Sequence, residues 1–177
     1  MSTEHPPRPV AAASLMAGAV LGMAGTFTSS VPMRSLAWGI DGVLLVVGVA
    51  LLAVHHLRVG QELLAAGFLV FLAGETLIVS GSAMELAASA PTFAAGAGLW
   101  AAGMLLVSAS PAHHVVVRLA GVIGAILFAA TAALIFTGGT LTPLSKPLPY
   151  FAYPFLAITL FGWAAAHLKR PMHASAN

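Results

Sequence analysis

Six stretches of about twenty apolar residues follow one another along the chain, at about 10–28, 35–57, 63–87, 92–109, 115–137 and 150–168. A helix rises about 1.5 Å per residue, so each stretch is long enough to cross ~30 Å of hydrocarbon. Of the 177 residues, 59% are hydrophobic and 7% are charged, against about 25% charged in soluble domains. A water-soluble chain of this length has too much surface for its volume to hide that much apolar material. Lipid resolves the conflict, and in lipid a spanning segment must satisfy its own backbone N–H and C=O groups, which selects helices. A β-barrel would need alternating segments of about ten residues, whereas these runs are continuous. The expected fold class is all-α: a polytopic membrane protein, a bundle of six transmembrane helices with short loops. Residues 10–168 would form the bundle. Residues 1–9, polar and proline-rich, read as a disordered cytoplasmic lead, and residues 169–177 as a cytoplasmic tail.

The separators carry loop chemistry. "TSSVPMR" holds Pro32 and Arg34, "HHLRVGQE" holds Arg58 and Glu62, and "SAP" ends in Pro91. "SASPAHH" holds Pro111, and "TGGTLTPLSKPLP" is the longest connection, rich in Gly and Pro. With six crossings, Arg8, Arg58, Arg118, Lys169 and Arg170 fall on one side, and Arg34 and Lys146 on the other. The excess of positive charge marks the cytoplasmic side. The expected home is the bacterial cytoplasmic membrane, crossed several times with both termini inside. Trp38, Tyr150 and Tyr153 lie near outer helix ends and fit an interfacial aromatic belt. The basic residues are scattered singly, which argues against a nucleic-acid partner. The partners expected are the bilayer and, beyond it, a second copy or another membrane protein. Small residues recur every four positions in the first helix (Ser14, Gly18, Gly22, Thr26) and the fifth (Gly121, Ala125, Ala129, Ala133). Such stripes let helix backbones approach closely.

Against this apolar background, residues 68–88 read "FLVFLAGETLIVSGSAMELAA" and place Glu75 and Glu85 in a segment otherwise suited to lipid. Glu75 would lie about 18 Å along the third helix, and Asp41 about 9 Å from the outer start of the second, at 1.5 Å per residue. A charged group at such depth costs roughly 2.5–3.5 kcal/mol on insertion scales. Seven residues make nearly two turns, so Ser82 shares a face with Glu75, and Thr76 adjoins it. Glu75, Asp41, Ser82 and Thr76 are thus the candidate intramembrane polar site. In one reading the acids line an internal site that binds and releases a proton or solute. In the other they are hydrogen-bonded to neighbours and only hold helices together. Arg34, seven residues before Asp41, is positioned to pair with it from the surface.

The histidines form a second constellation. His55 and His56 end the second helix, His113 and His114 precede the fifth, and His167 closes the sixth. Where those ends converge, imidazoles can ligate a divalent metal, hold a haem, or titrate near neutral pH. No HxxxH or HxxE spacing supports a metal, and histidine also suits a headgroup interface, so no cofactor is predicted, with haem or metal as the alternative. The absence of cysteine removes thiolate chemistry. No phosphate-binding glycine loop, HExxH or GxSxG is present, so no catalytic residue is assigned and a hydrolase is disfavoured without being excluded. The best functional reading is a small carrier, channel-like or proton-responsive protein built on an intramembrane carboxylate. The alternatives are a non-catalytic accessory or scaffold subunit and a haem- or metal-binding protein.

Overall fold

A computed structural model describes residues 8–168. It contains α1 (Arg8–Phe27), α2 (Val31–Arg58), α3 (Glu62–Gly81), α4 (Ala90–Ala109), α5 (Val115–Phe136) and α6 (Tyr153–Leu168). A single 3₁₀ turn, Tyr150–Ala152, leads into α6. There is no strand among the described residues, and six helical segments are long and apolar enough to cross a membrane. The expected lead and tail lie outside the described residues, except that Arg8 and Pro9 already belong to α1.

Each helix packs against its neighbours in sequence, and α1 also packs against α6. The six therefore close into a ring. Short connections make successive helices antiparallel. One end of the ring gathers the start of α1, the α2–α3 and α4–α5 turns and the end of α6. The other gathers the α1–α2 turn, residues 82–89 and residues 137–149.

Two helix boundaries differ from the hydropathy reading, for local reasons. Helix α2 begins at Val31, inside the expected loop, because Pro32 falls in the first turn, where its missing N–H costs nothing. Arg34 is consequently helical. Helix α3 stops at Gly81 instead of continuing toward 87. There the hydroxyls of Ser80 and Ser82 bond back to the carbonyls of Leu77 and Val79, at 2.6 and 2.8 Å. The Ser82 N–H also turns back to Val79. Serine hydroxyls compete in this way with helix continuation, and Gly81 adds a weak helix former. Residues 82–89 cross the end of the ring as turns, leaving Glu85 exposed off the helix.

Glycines set the closest approaches. A Cβ at Gly74 would meet the Gly96 carbonyl oxygen at 2.7 Å, and one at Gly96 would meet that of Gly74 at 2.8 Å. A Cβ at Gly103 would likewise stand 2.8 Å from the Gly67 carbonyl oxygen. Helices α3 and α4 thus touch backbone to backbone at two levels. The α1 stripe packs as expected, with Ser14, Gly18 and Thr26 buried. The α5 stripe does not: Gly121 and Ala125 are buried, but Ala129 and Ala133 are exposed. A four-residue spacing drifts about 40° per step around a helix with 3.6 residues per turn, so the buried face moves to Phe128, Thr131 and Ala132.

Aromatic rings fill the ring's axis. Phe68 meets Trp163 edge to face with centroids 5.0 Å apart, Trp163 meets Phe71 at 5.4 Å, and Phe71 stacks on Trp100 at 5.7 Å. Trp100 continues to Phe128 at 5.3 Å and Phe128 to Tyr153 at 5.7 Å. Offset-stacked and T-shaped pairs of this kind stabilise beyond their buried area. Tyr153 is therefore an interior residue, not a belt residue. Its hydroxyl donates to the Pro143 carbonyl at 2.7 Å, anchoring the 137–149 connection to the core.

Candidate functional site

Beyond the aromatic column the axis is open. A cavity of about 480 Å³ lies between α1, α2, α3, α4 and α6, with residues 82–89 and Pro143 around its rim. Asp41 and Glu75 both line it, with Ser82 further out and Arg34 and Glu85 toward the rim. Trp38, Phe93, Trp100 and Tyr153 supply aromatic wall.

Glu75 is the most enclosed polar group there, 2% exposed. It reaches the cavity because α3 and α4 are held tightly on its far side by Gly74, and because Gly42 of α2 offers no side chain opposite. A Cβ at Gly42 would lie 3.3 Å from Glu75 Oε1 and would collide with the Val79 side chain. The Trp100 indole N–H faces Glu75 without reaching hydrogen-bond geometry, so Trp100 Nε1 and Glu75 Oε2 are both buried and unpaired among the described residues. Asp41 comes from the adjacent helix, near enough for its charge to act on Glu75. Its carboxylate occupies space left by the α1 stripe. A Cβ at Gly22 would stand 2.6 Å from Asp41 Oδ2, and one at Gly18 would stand 3.1 Å from Oδ1.

The expected Arg34–Asp41 ion pair is not formed. Arg34 donates through Nη2 to the Thr28 carbonyl at 2.9 Å and lies over the Trp38 ring, while Asp41 Oδ1 is buried without a partner among the described residues. Trp38 turns its indole N–H to the Gly22 carbonyl at 3.3 Å and forms cavity wall instead of an outward belt. Of the neutral candidates, Ser82 lines the cavity, but Thr76 is exposed on the outer face of α3 with its hydroxyl bonded to Ala73. Adjacency in sequence placed Thr76 near Glu75, but the 100° step between neighbouring helical residues turns it outward.

At the other end the histidines do converge. His55, His56 and His113 are buried, and His167 is half-buried. The His56 and His167 rings lie 5.2 Å apart with Nε2 atoms 3.1 Å apart, His55 and His56 lie 5.1 Å apart, and His113 and His167 6.5 Å apart. His114 stays outside, exposed, and caps α5 by accepting from the Val116 N–H at 3.3 Å. Burial, reinforced by the His167 charge, lowers the His113 pKa to about 4. The cluster sits on the aromatic column, because His56 stacks on Phe68 at 5.3 Å. No group of three or more candidate ligands stands in metal-holding geometry among the described residues. Gln61, bonded to His56 Nδ1 at 2.6 Å, carried no signal in the sequence beyond its polarity. The cavity aromatics were legible as aromatics but not as its wall.

Fold and cavity define a six-helix protein of membrane-spanning dimensions, with an acid-lined chamber at one end and a histidine cluster at the other. Comparison of the chain with protein-family models, with curated proteins and with solved structures gives no match.

Proposed function

We propose that this protein is a small carrier of the bacterial cytoplasmic membrane, with both termini inside, that takes up a proton or a cationic solute at Glu75 and Asp41. The observation that carries the reading is the pair of acids lining a cavity of about 480 Å³, with no basic side chain bonded to either among the described residues. Charge in a low-dielectric interior must be balanced. Here a proton or a bound cation is the natural balance. The volume greatly exceeds what a lone proton needs, and the aromatic wall suits a cation with an apolar body. The aromatic column of Phe68, Trp163, Phe71 and Trp100 stands between the cavity and the histidine end, and no histidine among the described residues lines the cavity, which supports an alternating-access reading. The excess of positive charge at the histidine end supports an outward-facing mouth. Ser82 supplies a neutral hydroxyl near that mouth.

The test is flux in proteoliposomes holding the purified chain, with a pH-sensitive dye inside. A proton gradient should drive uptake of a lipophilic organic cation such as tetraphenylphosphonium, with release of protons. Glu75→Gln should abolish it and Asp41→Asn should reduce it. Flux that is unchanged in Glu75→Gln would sink the reading. So would stoichiometric co-purification with a second membrane protein whose activity is indifferent to Glu75, which would point to an accessory subunit.

A further inference from the structure

The bonds around His56 and His167 have a direction that can be worked out. His167 Nδ1 lies 2.7 Å from the Trp163 carbonyl. A carbonyl only accepts, so this nitrogen carries the proton and Nε2 of a neutral His167 is a bare lone pair. His56 Nδ1 lies 2.6 Å from Gln61 Oε1; with the amide in that orientation the oxygen accepts, so the His56 proton also sits on Nδ1 and its Nε2 is likewise bare. The two bare Nε2 atoms face each other at 3.1 Å. Two lone pairs do not hold that distance unless something positive lies between them.

We propose that His56 and His167 are a ligand pair for one borderline divalent transition-metal ion, with His113 as the third imidazole. An ion bonded at about 2.0–2.1 Å to both nitrogens would see a 3.1 Å separation at an angle of roughly 100°, close to tetrahedral. A metal-bound histidine normally donates its other N–H to a carbonyl or carboxylate, which fixes the tautomer and the ring plane. Gln61 Oε1 and the Trp163 carbonyl stand in that relation to His56 and His167. His113 is 6% exposed, with neither ring nitrogen bonded among the described residues and its ring 6.5 Å from that of His167. As placed, His113 does not complete a three-ligand group among the described residues, so its ring would have to rotate about the side chain to join the pair. Three neutral imidazoles and a water are a known zinc environment. The ligands come from α2, the α4–α5 turn and α6, so the ion would tie α2 to α6, which the chain does not join directly. The site is separate from the carboxylate cavity and does not depend on the carrier reading.

Two other arrangements supply a positive group between the nitrogens: a single shared proton, or a rotated Gln61 amide that turns His56 over to its other tautomer. The experiment separates them. The full chain, free of any histidine tag and stripped with chelator, is titrated with Zn²⁺ by calorimetry and with Co²⁺ by visible absorption. Saturation at one ion per chain is expected, with the intense ligand-field bands of four-coordinate cobalt. His56→Gln and His167→Gln should each weaken binding more than tenfold, and His113→Gln by a smaller factor. His114→Gln and Glu75→Gln should leave it unchanged. Unsaturable uptake, a cobalt spectrum like that of the aqueous ion, or affinity indifferent to His56 and His167 would overturn the proposal in favour of the proton or the amide. If a histidine variant fails to fold, the cobalt spectrum of the unaltered chain decides alone.

Discussion

Gly22 of α1 stands where a side chain would strike the Asp41 carboxylate of α2: a Cβ there would lie 2.6 Å from Oδ2. The small-residue stripe of α1 therefore does more than let two helices touch. It makes the recess that holds an acid against the cavity. Gly22→Ala should force Asp41 to shift, and overpacking of this kind costs about 1–3 kcal/mol. Asp41 faces the cavity and can swing into it, and alanine's better helix propensity offsets up to about 1 kcal/mol, so the net change in stability is expected to be small while the carboxylate is displaced. Asp41→Ala should relieve the clash, making the double variant more stable than the sum of the single changes predicts, with a coupling of about 0.5–3 kcal/mol. Thermal melts of the four proteins in one detergent measure it. Strict additivity would show that Gly22 and Asp41 do not share that space.

The glycines of this chain are not equivalent, and the difference has a sign. A Cβ at Gly39 would have nothing within 4 Å, whereas at Gly74 and Gly96 it would meet the other glycine's carbonyl oxygen at 2.7 and 2.8 Å. Backbone oxygens held in two packed helices cannot move aside as a side chain can. Gly39→Ala should be neutral or stabilising by up to about 1 kcal/mol. Gly74→Ala and Gly96→Ala should each lower the melting temperature by several degrees, since about 1 kcal/mol corresponds to ~2–4 °C in a chain of this size. Equal effects at all three positions would contradict the α3–α4 contact.

The helix inventory was legible because apolar length is a coarse signal and each crossing repeats it. Where a local group competed with the helix, the reading failed: the serines at 80 and 82 ended α3 early, and Pro32 opened α2 earlier than expected. Glu75 and Asp41 were legible for the same reason as the helices, since a carboxylate stands out in an apolar run, and the structure places both on one cavity. What no single helix could reveal was rotation about its axis. Thr76 faces out, Trp38 and Tyr153 face in, and Arg34 turns to the Thr28 carbonyl instead of Asp41. Those orientations depend on how the ring closes, which is set by contacts between helices. The histidines were legible as residues of one end, but their convergence needed the ring to close so that side chains from the ends of α2 and α6 meet across it.

Tyr153 offers a direct probe of how the long connection is held. Its hydroxyl donates to Pro143 at 2.7 Å while its ring closes the aromatic column against Phe128. Tyr153→Phe keeps the ring and deletes only the bond. The expected loss is about 0.5–1.5 kcal/mol, accompanied by faster protease cleavage within residues 137–149. Tyr153→Ala should cost about 3–5 kcal/mol, as for other large aromatic deletions. A Phe variant cleaved no faster than the parent would mean that the bond does not restrain the connection.

His113 makes the stability of the histidine end depend on pH, and the sign follows from its surroundings. Burial, with the His167 charge second, holds its pKa down at about 4, against about 6.5 for a histidine in an unfolded chain. Between those values the unfolded chain binds a proton that the folded chain refuses. The unfolded state is therefore favoured progressively as pH falls from about 6.5 to about 4. Above 6.5 the contribution of a neutral His113 is fully present, and below 4 both states are protonated and the slope vanishes. His113→Leu removes the titrating group while keeping an apolar filling of similar bulk. Thermal midpoints measured in chelator from pH 7 to pH 4 should fall less steeply for His113→Leu than for the parent, so that the variant gains on it most near pH 4. Parallel curves across that range would show that the buried ring at position 113 does not resist protonation.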